Sequence, residues 1–165
     1  MIEKIVSGGQ TGVDRAALDA ALAAGFACGG WCPRGRGAED GPIPGRYPLA
    51  ETETNDPAER TRRNVADADG TLVLAPGGDA DRVADGTSLT ARHARRLGKP
   101  LLILDPVAAA PDSVVAWAAA NGIRILNVAG PRASTAPALY GPARSLIAAV
   151  VRAASAAAAR SARDG

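Results

Sequence analysis

What most constrains this chain is a strand, a turn and a helix that follow one another near its start without a spacer. The apolar run Ile2–Val6 ends in Ser7-Gly8-Gly9-Gln10-Thr11-Gly12, and Val13-Asp14-Arg15-Ala16-Ala17-Leu18 opens an alanine-rich helix. A strand that passes straight into a helix is the unit from which parallel sheets with helical cover are assembled. Glycines at 8, 9 and 12 permit positive φ and a close approach of backbone N–H groups to a ligand. The first helical turn leaves N–H donors unpaired, and its dipole favours negative charge. The segment suits a phosphate or oxyanion seat, and it also suits a tight chain reversal that binds nothing. It lacks the Gly-Lys-Ser/Thr ending of a P-loop and the GxGxxG spacing of a dinucleotide fold.

The same alternation continues along the chain. Helix Val13–Ala24 stops at Gly25, and Phe26–Trp31 reads as a short second strand. Residues 33–56 are dominated by Gly, Pro, Arg and acids and read as a long irregular segment over the ligand edge. Asp56 and Pro57 are the N-cap and first residue of a helix to Ala68. Apolar strands at Thr71–Ala75, Leu101–Leu104 and Ile125–Val128 alternate with helices at 86–97, 112–121 and from Ala136 onward. Strands without polar alternation are covered on both faces. The expectation is one α/β, three-layer domain with a mostly parallel five-stranded sheet over residues 1–154. An Ala/Arg-rich tail, 155–165, extends the last helix and frays.

Composition narrows the function. A chain of 165 residues fits one domain, and 47% hydrophobic with 3% aromatic residues means a core of Ala, Val, Leu and Ile. A net charge of +2 gives no electrostatic footprint for nucleic acid. No signal peptide or membrane span is read, so a cytoplasmic location is expected. Cys28 and Cys32 form a CxxxC pair with no further ligands, which reads as free thiols and not a zinc site. The lone His93, inside a helix, reads as structural.

In a doubly wound sheet, ligands bind beyond the carboxyl ends of the strands. The glycine-rich loops there are Ser7–Gly12 and Pro76-Gly77-Gly78 with Gly86-Thr87-Ser88. They are expected to converge on one pocket, with the hydroxyls of Ser7, Thr11, Thr87 and Ser88 facing anionic oxygens. Thr87 and Ser88 serve equally as helix caps. Asp14 would repel a phosphate and suits a ribose hydroxyl, an amine or a cation, with Arg15 offsetting its charge. Trp31 offers a stacking surface for a purine or pterin. Arg34, Arg36, Arg46, Arg60, Arg62 and Arg63 read individually as solvated charges. Glu39 and Asp40 are acids without an assigned role. Replacing Gly9 by a β-branched residue is expected to block ligand approach while sparing the fold.

Several segments together resemble the putative molybdenum carrier family. They are residues 7–19, Gly29-Gly30-Trp31-Cys32-Pro33, Ala38-Glu39-Asp40-Gly41-Pro42-Ile43, Arg60-Thr61 with Asn64-Val65, Asp67-Ala68-Asp69-Gly70-Thr71, Gly86-Thr87-Ser88-Leu89-Thr90 and Leu126-Asn127-Val128-Ala129-Gly130-Pro131-Arg132. The resemblance is collinear over about nine-tenths of the chain. It implies a Rossmann-like fold within the wider group of LOG-type phosphoribohydrolases and DprA-like proteins. It also implies a phosphate-bearing small molecule, a nucleotide or pterin derivative, or an oxyanion at the glycine loops, with Arg60 and Asn64 joining the binding set. The cargo it suggests is molybdenum cofactor or molybdate. Relatives in the wider group pair through long helices, so a homo-oligomer is expected by analogy. LOG-type hydrolases resemble Pro-Gly-Gly-x-Gly-Thr-x-x-Glu, but here residues 79–85 intervene and Thr90 stands at the glutamate position. A threonine cannot act as a carboxylate base. No catalytic residue is assigned, and a nucleotide N-glycosidase is the alternative reading.

Overall fold

In the computed structural model, residues 1–83 and 86–163 are described. The first half contains β1 (Lys4–Val6), α1 (Val13–Ala23), β2 (Cys28–Gly29), β3 (Trp31–Cys32), β4 (Gly37–Ala38), β5 (Gly41–Pro42), β6 (Ala50–Glu51) and α2 (Pro57–Asp67). The second half contains β7 (Gly70–Leu74), α3 (Gly86–Arg96), β8 (Leu101–Leu104), α4 (Pro111–Ala120), β9 (Ile125–Ala129) and α5 (Tyr140–Ser161).

The five apolar strands form one sheet in the order β2-β1-β9-β7-β8, with every pairing parallel. Counted from β7 onward and back through the chain start, that order becomes 2-1-3-4-5, a standard doubly wound arrangement. The chain leaves β7 outward to β8 and returns to β9 on the other side. The switch point therefore lies between β7 and β9. Ile5, Leu72, Leu74, Leu126 and Val128 turn to one face and pack with Ala16, Ala17 and Ala20 of α1, Val114 of α4 and Ile147 and Val150 of α5. On the other face Val73 packs with Ala91 of α3. Alanines on α1 and α5 let these helices lie close, which is where the aromatic-poor composition is used.

Local signals explain the boundaries. Asp56 accepts the Ala58 N–H at 2.9 Å and caps α2, with Pro57 in its first turn. Gly25, Gly98 and Gly122 stand just past three helices with φ near +60°, the left-handed stop. The expected strand Phe26–Trp31 is broken at Gly30, whose φ is +125°. A Cβ there would lie 2.3 Å from the Ser7 carbonyl oxygen. Residues before the break join the main sheet as β2, and those after it leave to pair with β6.

Residues 33–56 are more ordered than an irregular segment. They hold the β4–β5 hairpin and β6 around a small core of Leu18, Cys32, Ile43, Tyr47 and Leu49. Arg36, itself at φ +56°, donates from its guanidinium to the carbonyls of Ile43, Pro44, Tyr47 and Leu49 at 3.0–3.1 Å. A residue read as a solvated charge thus closes the loop. The expected boundary at 154/155 falls inside α5. Ala84 and Asp85 of the acidic insert, and Asp164 and Gly165 of the tail, lie outside the described residues.

Arg36→Ala is expected to cost about 2–3 kcal/mol in urea unfolding, because four carbonyls lose a charged donor, and to open residues 33–56 to proteolysis. His93 supplies a second expectation. Burial, with Arg96 and Arg62 nearby, pushes its imidazole below the ordinary value of 6.5. The unfolded chain then binds this proton more tightly, so its contribution to stability is intact above pH 6.5 and lost as pH falls below it. The drop in Tm between pH 7.5 and 5.5 should be smaller in His93→Gln than in the parent.

Candidate functional site

The carboxyl ends of β1 and β9 and the N-termini of α2 and α3 enclose a cavity of about 340 Å3. The five strands of the main sheet are parallel and the helices run back against them, so both N-termini arrive at this edge. The first turn contributes Gly8, Gln10 and Asp14. Helix α2 and its cap contribute Asp56, Pro57, Ala58, Arg60, Thr61 and Asn64. Gly86, Thr87, Leu89 and Thr90 come from α3, and Asn127–Gly130 and Arg132 from β9 and its exit.

Groups of both charges line the cavity. Asp14 is nearly buried; its Oδ2 accepts the Gln10 N–H at 3.3 Å and lies 3.5 Å from Nη1 of Arg60. The same Nη1 donates to the Gly8 carbonyl at 3.0 Å. The guanidinium occupies the space a Gly8 side chain would fill, with a Cβ falling 2.3 Å from Nη1. Asp56 adds a second carboxylate on this side. At the α3 pole, among the described residues, the first turn carries no acid, and Arg132 lines the same cavity. This pole favours anionic oxygens. The Thr90 hydroxyl donates to the Gly86 carbonyl at 3.1 Å, inside its own helix. Asn127, also buried, donates to Thr71 Oγ1 at 3.3 Å.

Of the sequence-derived set, Gly8, Gln10, Asp14, Arg60, Asn64, Gly86 and Thr87 line the cavity. Asn64 does so while clamping α2 to β3: its Oδ1 accepts the Trp31 N–H at 2.8 Å and its Nδ2 donates to the Trp31 carbonyl at 3.0 Å. The others lie elsewhere. Ser7 is buried and donates to the Val128 carbonyl at 2.6 Å. Gly9 packs where a Cβ would meet Leu49 Cδ1 at 2.5 Å, and Gly12 where it would meet the Pro131 carbonyl at 2.5 Å. The Thr11 N–H donates to Gln10 Oε1 at 3.0 Å, and the Val13 N–H to the Pro131 carbonyl at 3.2 Å. Those donors are already spent within the protein. Trp31 borders a separate cavity of about 310 Å3, with its Nε1 on Asp67 at 2.7 Å and the Arg63 guanidinium over its ring. Pro76–Gly78 form a 3-10 turn whose Gly77 N–H donates to Asp105, and Ser88 is not among the wall residues.

The two unassigned acids of the long loop prove to be fasteners. Glu39 accepts from the hydroxyls of Thr11 and Ser134 and from the Ser134 N–H at 3.0 Å. These bonds, chiefly from Ser134 and Thr11, hold its carboxyl below the usual range. Asp40 pairs with Arg15 through two contacts of 2.5 and 2.8 Å. Neither acid lines the cavity. The sequence reading did not assign Asp56, Thr61, Asn127, Gly130 or Arg132 to the site. A signal existed: each belongs to an element that reaches the edge already chosen for the ligand.

A polar cavity at the switch point of a parallel sheet covered on both faces defines a Rossmann-like domain. The chain belongs to the circularly permutated YpsA SLOG family, whose model matches residues 5–151. That description agrees with a strand order that becomes standard when counted from β7. The crystal structure of a putative molybdenum carrier protein from Syntrophus aciditrophicus is similar at 39% identity and a TM-score of 0.82. The match covers 91% of this chain and 95% of that one. No curated protein matches the sequence. No described helix is long and apolar enough to cross a membrane.

The packing reverses the expectation for Gly9. Its φ of +76° and its contact with Leu49 make Gly9→Val a folding lesion of about 2–4 kcal/mol in urea unfolding. Gly8→Ala would push Arg60 off the Gly8 carbonyl and Asp14, and should cost about 1–3 kcal/mol in urea unfolding.

Proposed function

We propose that this chain is a binding or carrier protein for a phosphate-bearing small molecule, a nucleotide or pterin derivative, held in the cavity at the switch point. The observation that carries the reading is the cavity's two poles. Phosphate oxygens suit the α3 N-terminus and Arg132, while hydroxyl or amino donors of the ligand suit Asp14 and Asp56. Bare molybdate is a dianion with no donor for the acidic pole. At about 340 Å3 the cavity also falls within the range of small organic ligands. A pterin carrying molybdenum fits the name of the Syntrophus relative, with the metal as cargo. A cytoplasmic setting belongs to the same reading.

Calorimetric titration of the purified protein with nucleoside monophosphates, a phosphorylated pterin and molybdate tests it. An organic phosphate should bind, and Arg132→Ala or Thr87→Val should weaken it at least tenfold, a loss of about 1.4 kcal/mol. Tight binding of molybdate alone, with no organic phosphate bound, would overturn the organic-ligand reading.

The buried Asp14 in the cavity wall supports a second reading, a nucleotide N-glycosidase. Thr90 supplies no base, so the parent should release little free base from nucleoside monophosphates. Brisk release, abolished in Asp14→Asn, would make the enzyme the better reading.

A further inference from the structure

The second cavity, of about 310 Å3, is walled by β1, β2, β3, β6 and α2. Its volume lies at the low end of small-ligand sites, which run from about 300 to 1,000 Å3. It shares Asn64 with the first cavity. That side chain is spent on the Trp31 N–H and carbonyl, so it stands as a partition between the two. Val6 and Gly29 form a buried floor, Lys4 and Asp67 are exposed, and Trp31 is half-buried.

The Trp31 ring is fixed before any ligand arrives. Its Nε1 donates to Asp67 Oδ2 at 2.7 Å, and the Arg63 guanidinium lies 4.7 Å from the ring centroid. Arg63 is not a wall residue, so the cavity meets the indole away from the face that Arg63 covers. Lys4 alternates with Val6 along β1, which puts both on one side of the sheet. Its side chain bends over Gly29, where a Cβ would stand 3.3 Å from Cε and 3.5 Å from Nζ. Among the described residues the Lys4 ammonium makes no hydrogen bond or ion pair, and Asp67 Oδ1 accepts none.

These two charges restrict what the cavity suits. An ammonium only donates and a carboxylate only accepts. An aromatic acid would satisfy Lys4 and be repelled by Asp67, and an aromatic amine would do the reverse. A lactam, with a ring N–H beside a ring carbonyl, is neutral and satisfies both. Its flat face suits the indole, and the missing side chain of Gly29 leaves it room. We infer that the second cavity is a site for a planar lactam heterocycle of the oxopurine kind, stacked on Trp31, with its N–H on Asp67 and its carbonyl on Lys4. No phosphate is needed, and the site does not depend on what the first cavity binds.

Hypoxanthine is the probe, because it is the bare lactam base. Trp117→Phe leaves Trp31 as the single tryptophan, and hypoxanthine should quench its emission. Calorimetry on the intact parent should give the same Kd. 1-Methylhypoxanthine lacks the N–H and should bind the parent at least tenfold more weakly. Asp67→Asn keeps an oxygen for the indole but not the acceptor for the ligand, and should weaken hypoxanthine at least tenfold. Lys4→Met, at an exposed position, should weaken it severalfold with Tm retained. Neither heat nor quenching at millimolar hypoxanthine overturns the inference. So does binding that the methyl group, Asp67→Asn and Lys4→Met all leave unchanged, a result that would put the base elsewhere, such as the first cavity.

Discussion

The arrangement of this molecule depends on one missing side chain. At Gly130 a Cβ would fall 2.4 Å from the Leu74 carbonyl oxygen and 2.7 Å from Val13 Cγ2. The exit of β9 can therefore pass directly over the end of β7 and the start of α1. That passage fixes the switch point and brings Arg132 to the cavity rim. It also carries residues 131–134 to the first turn, where the Val13 N–H finds the Pro131 carbonyl and the Ala133 N–H finds Thr11 Oγ1. Glu39 then ties Thr11 and Ser134 together from above. Three segments far apart in sequence are held by contacts that tolerate no added carbon at their centre.

The sheet was legible in the sequence because its strands are apolar on both sides, and its helices because their ends carry Asp56-Pro57 at one start and Gly25, Gly98 and Gly122 past three stops. What could not be read was the destination of polar side chains. Arg36 looks like a surface charge by type, but its use depends on four carbonyls that a folded loop gathers around it. Gly9 and Gly12 looked like room for a ligand, and the space beside them is filled by Leu49, Ile43 and the 131–133 backbone. Composition reveals that a glycine is needed, not which neighbour needs it.

The cavity is polar without being uniformly basic, and this separates it from a simple anion seat. Arg60 is shared between the Gly8 carbonyl and Asp14, so its charge is partly spent before any ligand arrives. An incoming phosphate would compete with Asp14 for that guanidinium, at the cost of leaving a nearly buried carboxylate with less compensation. The charge of Arg60 is therefore not freely available to an anion.

The strand order also has a consequence in time. In the sheet β9 lies between β1 and β7, although it is the last strand to leave the ribosome. Until residues 125–129 emerge, the earlier strands of the main sheet have two separate pairings, β1 with β2 and β7 with β8, with no hydrogen-bonded ladder between them. The final strand is a keystone. Its insertion completes two ladders at once, matching Ile5 to Leu126 on one side and Leu72 to Val128 on the other. It supplies part of the cavity wall in the same act. A chain halted before β9 has most of its helices and four of its five sheet strands, yet neither a continuous sheet nor a complete place for a ligand.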